Sequence, residues 1–107
     1  MKRGEVWWVD FDPAIGTEIQ KTRPAIIISN DHFNRYATRV QVIPITRTVD
    51  RLFPGEAFVT IKGQKRKAMT DQIQTASKQR IRDRIGRVSD DDLRQIEQAI
   101  QVQLGLK

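Results

Sequence analysis

Residues 16–30, GTEIQKTRPAIIISN, constrain this chain more than any other stretch. A polar segment whose only apolar residue is Ile19 runs into Arg23-Pro24 and then directly into Ala25-Ile26-Ile27-Ile28. Proline fixes its own φ and pushes the residue before it into extended backbone. The β-branched run behind it predicts a strand buried on both faces. Arg23 is therefore expected at the mouth of a rigid strand, its guanidinium facing whatever the preceding loop encloses. A guanidinium suits a phosphate because its planar fork donates two parallel hydrogen bonds. The competing reading is a surface arginine in a structural ion pair, and this segment alone leaves both open.

The 107 residues suit one domain, 1–107, with a single core and no covalent staples. There is no cysteine, which excludes a disulfide framework and thiolate metal sites and fits a reducing compartment. The N-terminal MKRGEVWW has no long apolar segment of the kind a signal peptide needs. No apolar run approaches the ~20 residues that span a bilayer. These features predict a cytoplasmic protein without a membrane partner. Lys and Arg number 19 against 13 Asp and Glu, a net charge of +6. A polyanion is the expected partner, nucleic acid first and an acidic protein segment second, with solubility as the plainer alternative.

No repeat or linker interrupts the chain. Residues 5–11 (EVWWVDF) suit a strand, on which Trp7 and Trp8 point to opposite faces. One should fill the core, and the other should pack under a helix or sit at an interface. Residues 14–22 read as a loop, 25–29 as a second strand, and 30–35 as a turn with Asn and Asp caps. Residues 39–46 (RVQVIPIT) alternate as a third strand, in which Pro44 argues for an edge position or a bulge. Residues 57–61 and 68–73 read as further strands flanking a basic turn at 62–67, and residues 84–88 as a last short strand. Ser89 followed by Asp90, Asp91 and Asp92 opens a helix, whose apolar face is Leu93, Ile96, Ala99, Ile100 and Leu104. Gly105 is its expected stop. The fold expected is mainly β (α+β), a small, partly open barrel closed by a C-terminal helix.

Chemistry has few residues to run on. His32 is the only histidine, in a turn segment, and more often structural than catalytic. The acidic triplet is a helix cap before it is a metal site, and no calcium loop or glycine-rich phosphate loop is present. No metal or other cofactor is expected. Thr46 ends the third strand as Arg23 begins the second. If those strands pair antiparallel, the two side chains can share one pocket. A hydroxyl and a guanidinium beside one phosphate can stabilise the extra charge of a pentacovalent transition state. Thr46 as an ordinary β-branched strand residue is the alternative.

Taken in order, these residues form a pattern: Arg3-Gly4-Glu5, Trp7-Trp8-Val9-Asp10, Asp12-Pro13, Gly16-Thr17-Glu18 and Arg23-Pro24 leading to Ser29-Asn30-Asp31. Pro44-Ile45-Thr46, Asp71-Gln72-Ile73 with Thr75, Gly86-Arg87-Val88-Ser89 and Leu104-Gly105-Leu106 complete it. Each is weak alone, but their order and spacing are specific. Over nearly its whole length the chain resembles the MazF/PemK type of toxin endoribonuclease from bacterial toxin–antitoxin pairs.

That resemblance implies a small SH3-like barrel with a C-terminal helix, acting as a homodimer. It implies metal-independent, sequence-specific cleavage of single-stranded RNA, to a 2′,3′-cyclic phosphate and a 5′-OH. The family's catalytic Arg falls on Arg23 and its catalytic Thr on Thr46. Gly16, Thr17, Glu18, Ile19, Gln20 and Lys21 of the loop, with Arg47 and Gln72, would bind substrate. Ile19 stands where many relatives carry Gln, a departure that bears on which bases are read, not on cleavage. The proton transfers stay open: Arg is a reluctant base, and Glu18 is a candidate. The implied partners are RNA, an acidic antitoxin and, mainly through the antitoxin, operator DNA. Two alternatives are a toxin of the same fold that poisons DNA gyrase without catalysis, and a nucleic-acid-binding barrel with no activity.

Overall fold

The computed structural model describes residues 1–11 and 22–106. The loop positions Gly16, Thr17, Glu18, Ile19, Gln20 and Lys21 lie outside the described residues. In chain order the elements are β1 (Glu5–Asp10), β2 (Thr22–Ile27), α1 (Asp31–Tyr36), β3 (Arg39–Thr46), β4 (Ala57–Ile61) and β5 (Gln64–Ala68). A 3-10 turn (Thr70–Gln72), β6 (Gln74–Ser77), a second 3-10 turn (Lys78–Arg80), β7 (Ile81–Arg87) and α2 (Asp90–Gln103) follow. Among the described residues the seven strands form one antiparallel sheet in the order β4-β5-β3-β2-β1-β7, with β6 also on β3. The sheet curls into the expected partly open barrel, and α2 closes it.

The apolar run of β2 explains the curl. Ala25, Ile26 and Ile27 are all fully buried because both faces of the strand are covered. Ile26 joins Val6, Ile43, Ile45, Val59, Val88 and Ile96 in the core under α2. Ala25 and Ile27 join Val9, Phe11, Val40, Val42 and Ile81 in a second core on the other face. Alternation along a strand sends neighbours to opposite faces, so one run of isoleucines feeds two cores.

Pro44 is not at an edge. β3 is interior: β2 lies along one side, and β6 and then β5 along the other. Pro44 sits where that second side changes partner, after β6 has paired through Val42 and before β5 begins at Ile45. Its carbonyl accepts the Met69 N–H at 3.0 Å. A residue's N–H and C=O point to the same edge of a strand, so the missing donor falls in the gap and costs no ladder bond.

Three other readings change. Residues 30–35 are not a turn: Asn30 caps α1, its side chain accepting from Phe33 N at 2.8 Å. Asn34, buried, anchors the helix by donating Nδ2 to the Ser29 carbonyl at 2.8 Å. The basic turn shrinks to Lys62-Gly63, because Gln64–Ala68 is a strand of its own. Both turn residues take positive φ, 50° and 77°, which suits a two-residue hairpin between twisted strands. Residues 68–73 are therefore not a strand but the end of β5 and a 3-10 turn, with β6 beginning at Gln74.

Helix α2 follows its sequence signals. Ser89 Oγ accepts from Asp92 N at 3.0 Å, and Gly105 takes φ +68° just past the last turn. Asp92 Oδ2 accepts the Thr60 N–H at 2.9 Å, so the helix cap also ties down the outer strand β4. No helix among the described residues is long and apolar enough to cross a membrane.

Candidate nucleic-acid interface

The antiparallel register of β2 on β3 runs from Ile27 opposite Val42 to Ala25 opposite Pro44. Continued outward, it sets Arg23 across from Thr46. Both side chains line one cleft of about 750 Å3. The pairing of Arg23 and Thr46 that the sequence suggested is thus a matter of register, held by the rigid Pro24 on one strand and by β5 on the other.

The electrostatics of the cleft are one-sided. Four cations, Arg23, Arg47, Lys62 and Arg66, line it, and no described carboxylate does. Among the described residues none of these four forms a salt bridge, whereas Arg3, Lys67, Arg82, Arg84, Arg87 and Arg94 each do. The hairpin turn brings Lys62 in, and alternation along β5 brings Gln64 and Arg66 to the same side. Lys67, counted in the sequence as part of the basic turn, is instead buried on β5, with Nζ 3.3 Å from Glu56 and 3.0 Å from the Arg51 carbonyl.

Thr46 is prepared as a donor. Its Oγ1 accepts the Thr48 N–H at 3.2 Å, which orients the hydroxyl and leaves its hydrogen for another acceptor. Arg23 is half-buried, so part of its hydration is already lost, and a phosphate oxygen is its natural replacement. Arg47 follows Thr46 on the exposed side of the cleft.

Not every expected residue arrives. Gln72 sits in the 3-10 turn, half-buried, its carbonyl accepting Gln74 Nε2 at 3.5 Å, and it does not line this cleft. It also lies in a turn where the sequence suggested a strand. Conversely, Trp8 lines the cleft and the sequence reading had not placed it there. Alternation separated Trp7 from Trp8 without saying which faced solvent. Trp7 is the core-facing one, packed on the second core with Nε1 donating to Glu5 at 3.1 Å.

Glu5 organises the back of the same strand. Burial pushes its carboxyl up, but hydrogen bonds from the Lys2 N–H, the Trp7 indole and the Arg84 guanidinium together hold its pKa below the usual value. His32 lies exposed on α1, its ring 5.1 Å from that of Tyr36 and away from the cleft. Among the described residues no group of three His, Cys, Asp or Glu side chains is arranged to hold a metal ion.

Comparison with known proteins bears on this geometry. The family model for the PemK-like, MazF-like toxin of type II toxin–antitoxin systems matches residues 2–104. The chain is 37% identical over 115 residues to endoribonuclease MazF9 of Mycobacterium tuberculosis, spanning 99% of this chain and 98% of that one. It is 32% identical over 111 residues to endoribonuclease EndoA of Bacillus subtilis, spanning 99% and 96%. Among solved structures it is similar to a mycobacterial endoribonuclease in complex with its cognate antitoxin. That likeness has a TM-score of 0.84 at 25% identity and covers 100% and 97% of the two chains. A barrel of this order, matched from one end to the other by that family model and by both relatives, belongs to the PemK-like, MazF-like toxins of type II toxin–antitoxin systems.

Proposed function

We propose that this chain, acting as one toxin domain over residues 1–107, is a sequence-specific endoribonuclease that cuts single-stranded RNA. The observation that carries the reading is the cleft in which Arg23 and Thr46 meet among cations that form no salt bridge among the described residues. The names of the two curated relatives, both endoribonucleases, support it.

The proposed chemistry is an in-line transfer. The ribose 2′-oxygen forms a bond to the adjacent phosphorus, and the bond from phosphorus to the 5′-oxygen breaks. The products are a 2′,3′-cyclic phosphate and a 5′-OH. Arg23 neutralises charge that develops on the phosphoryl oxygens, and the Thr46 hydroxyl donates to one of them. The 2′-OH proton passes to a base and a proton reaches the leaving oxygen. Glu18 is the candidate base, and Arg23 can supply the second proton. Gly16, Thr17, Ile19, Gln20 and Lys21 of the same loop, with Arg47, are proposed to read the bases.

Single strands fit this chemistry because a shallow cationic groove can hold splayed bases, whereas duplex RNA keeps its base faces stacked and its major-groove edges in a deep, narrow groove. A cytoplasmic setting, a homodimer and neutralisation by an acidic antitoxin complete the proposal. The solved complex of a similar endoribonuclease with its antitoxin supports the last of these. Operator DNA would be bound mainly through that antitoxin.

The test is incubation of folded, antitoxin-free protein with single-stranded RNA in EDTA, followed by analysis of the product ends. Cyclic phosphate and 5′-OH ends are expected. Uncut RNA sinks the reading and favours a gyrase-binding or purely nucleic-acid-binding role.

A further inference from the structure

Trp8 is 39% exposed, and it is the aromatic residue among those that line the cleft. A large flat apolar ring left open to water inside a cationic groove calls for an occupant. Its ladder partner across β1 and β2 is Pro24, so a rigid ring lies beside the indole on the same face. Ile61 and Ile85 also line the cleft and extend the apolar surface. Among the described residues the Trp8 indole makes no hydrogen bond, in contrast to that of Trp7, whose Nε1 is held by Glu5.

The groove has two chemistries in two places. Cations stand where phosphates would lie, and an indole, a proline ring and three isoleucines, Ile45 included, form the apolar part. A phosphodiester chain with unstacked bases has the same two chemistries in the same alternation. A duplex presents phosphates but keeps its base faces buried, and an inorganic anion has no use for the indole. Arg23 and the indole line the same cleft, so a base on the indole belongs to the strand whose phosphate lies on Arg23.

We infer that Trp8 is a stacking platform for one base of the bound strand, setting the reading frame of the RNA relative to Arg23 and Thr46. The inference rests on the proposed RNA-cleaving role. Stacking is tolerant of base identity, because every base has a π-face. Trp8 therefore contributes affinity and register, and the choice of base is left to polar groups around it.

The experiment uses the full chain and a single-stranded oligonucleotide with 2′-O-methyl groups throughout, which binds but cannot be cut. The chain has two tryptophans, so Trp7→Phe leaves Trp8 as the sole indole reporter. Its emission should be quenched by the oligonucleotide and left unchanged by an abasic oligomer of equal length. Without any change at position 7, Trp8→Ala should weaken the base-bearing ligand about tenfold, the weight of one stacked base, and Trp8→Phe should recover most of that loss. The abasic oligomer should not respond to either change.

Several results overturn the inference. If Trp8→Ala leaves oligonucleotide affinity intact while the wild type still cleaves RNA, stacking fails and the cleavage reading stands. Quenching that follows protein concentration puts the indole in a self-association surface. Quenching by an acidic peptide but not by RNA assigns it to a protein partner. Failure of the wild-type chain to bind or cut any single strand removes the cleavage reading together with this one.

Discussion

The cations of β7 and the cations of the cleft carry the same charge and do different things. Arg82, Arg84 and Arg87 pair with Asp10, Glu5 and Asp90 at 3.3, 3.1 and 3.1 Å. In the cleft Arg23, Arg47, Lys62 and Arg66 stand with no described carboxylate among them. The net charge of +6 sums both regions and locates neither. What marks a candidate phosphate site is positive charge that no described carboxylate neutralises, held near a hydroxyl by strand register.

The comparison can be broken most sharply at Arg23. Arg23→Ala should lower the cleavage rate about 10²–10³-fold, the usual cost of deleting one transition-state donor, with the circular dichroism and melting temperature unchanged. The paired Arg82→Ala should leave the rate untouched; equal losses at both positions would erase the distinction.

A cation that is paired and buried should matter to stability instead. Lys67→Met leaves the part-buried Glu56 carboxylate with only the Phe53 N–H as partner and should cost about 2 kcal/mol in denaturant titrations. Adding Glu56→Gln to the same chain should recover part of it, because the uncompensated charge is then gone. Lys67 is the ladder partner of Thr46, so the double variant also asks whether the cleft keeps its shape without the ion pair.

Salt dependence sharpens the contrast further. For a single strand, each phosphate-contacting cation removed should flatten the plot of log affinity against log salt by about 0.7. Lys62→Ala and Arg47→Ala should each do so, and Arg84→Ala should not. The smallest effect expected is in acid. Glu5 has a lowered pKa in the folded chain, so its contribution is complete above the ordinary glutamate range and is lost as pH falls through the lowered value. Glu5→Gln should remove that part of the acid limb of the stability curve, measured by urea midpoints across pH.

Much of this was readable in the chain. The Arg-Pro-isoleucine junction predicted a rigid, doubly buried strand, and the Ser89 cap with its acidic first turn predicted α2, because local chemistry decides both. Pro44 misled because its meaning depends on where a neighbouring strand stops, which no local signal reports. The run at 62–67 looked like one long basic turn because charge outweighed pattern. A Lys-Gly pair between two short alternating segments was the hairpin signal. Trp8 could not be told from Trp7 by period alone, since a two-residue repeat separates faces without naming the wet one. Arg23 beside Thr46 was legible only after antiparallel pairing was assumed, and the register then placed the two together.

The open barrel has a further consequence at its margins. Among the described residues β4 and β7 end the sheet, and an unpaired strand edge is a template for another copy of the chain. On β4 the Thr60 amide is occupied by Asp92 from the helix. On β7 the register against β1 shifts twice, and three arginines project from the strand. Irregular pairing makes β7 a poor template for edge-to-edge growth, as the occupied Thr60 amide does for β4, so both margins of the open barrel discourage extension of the sheet.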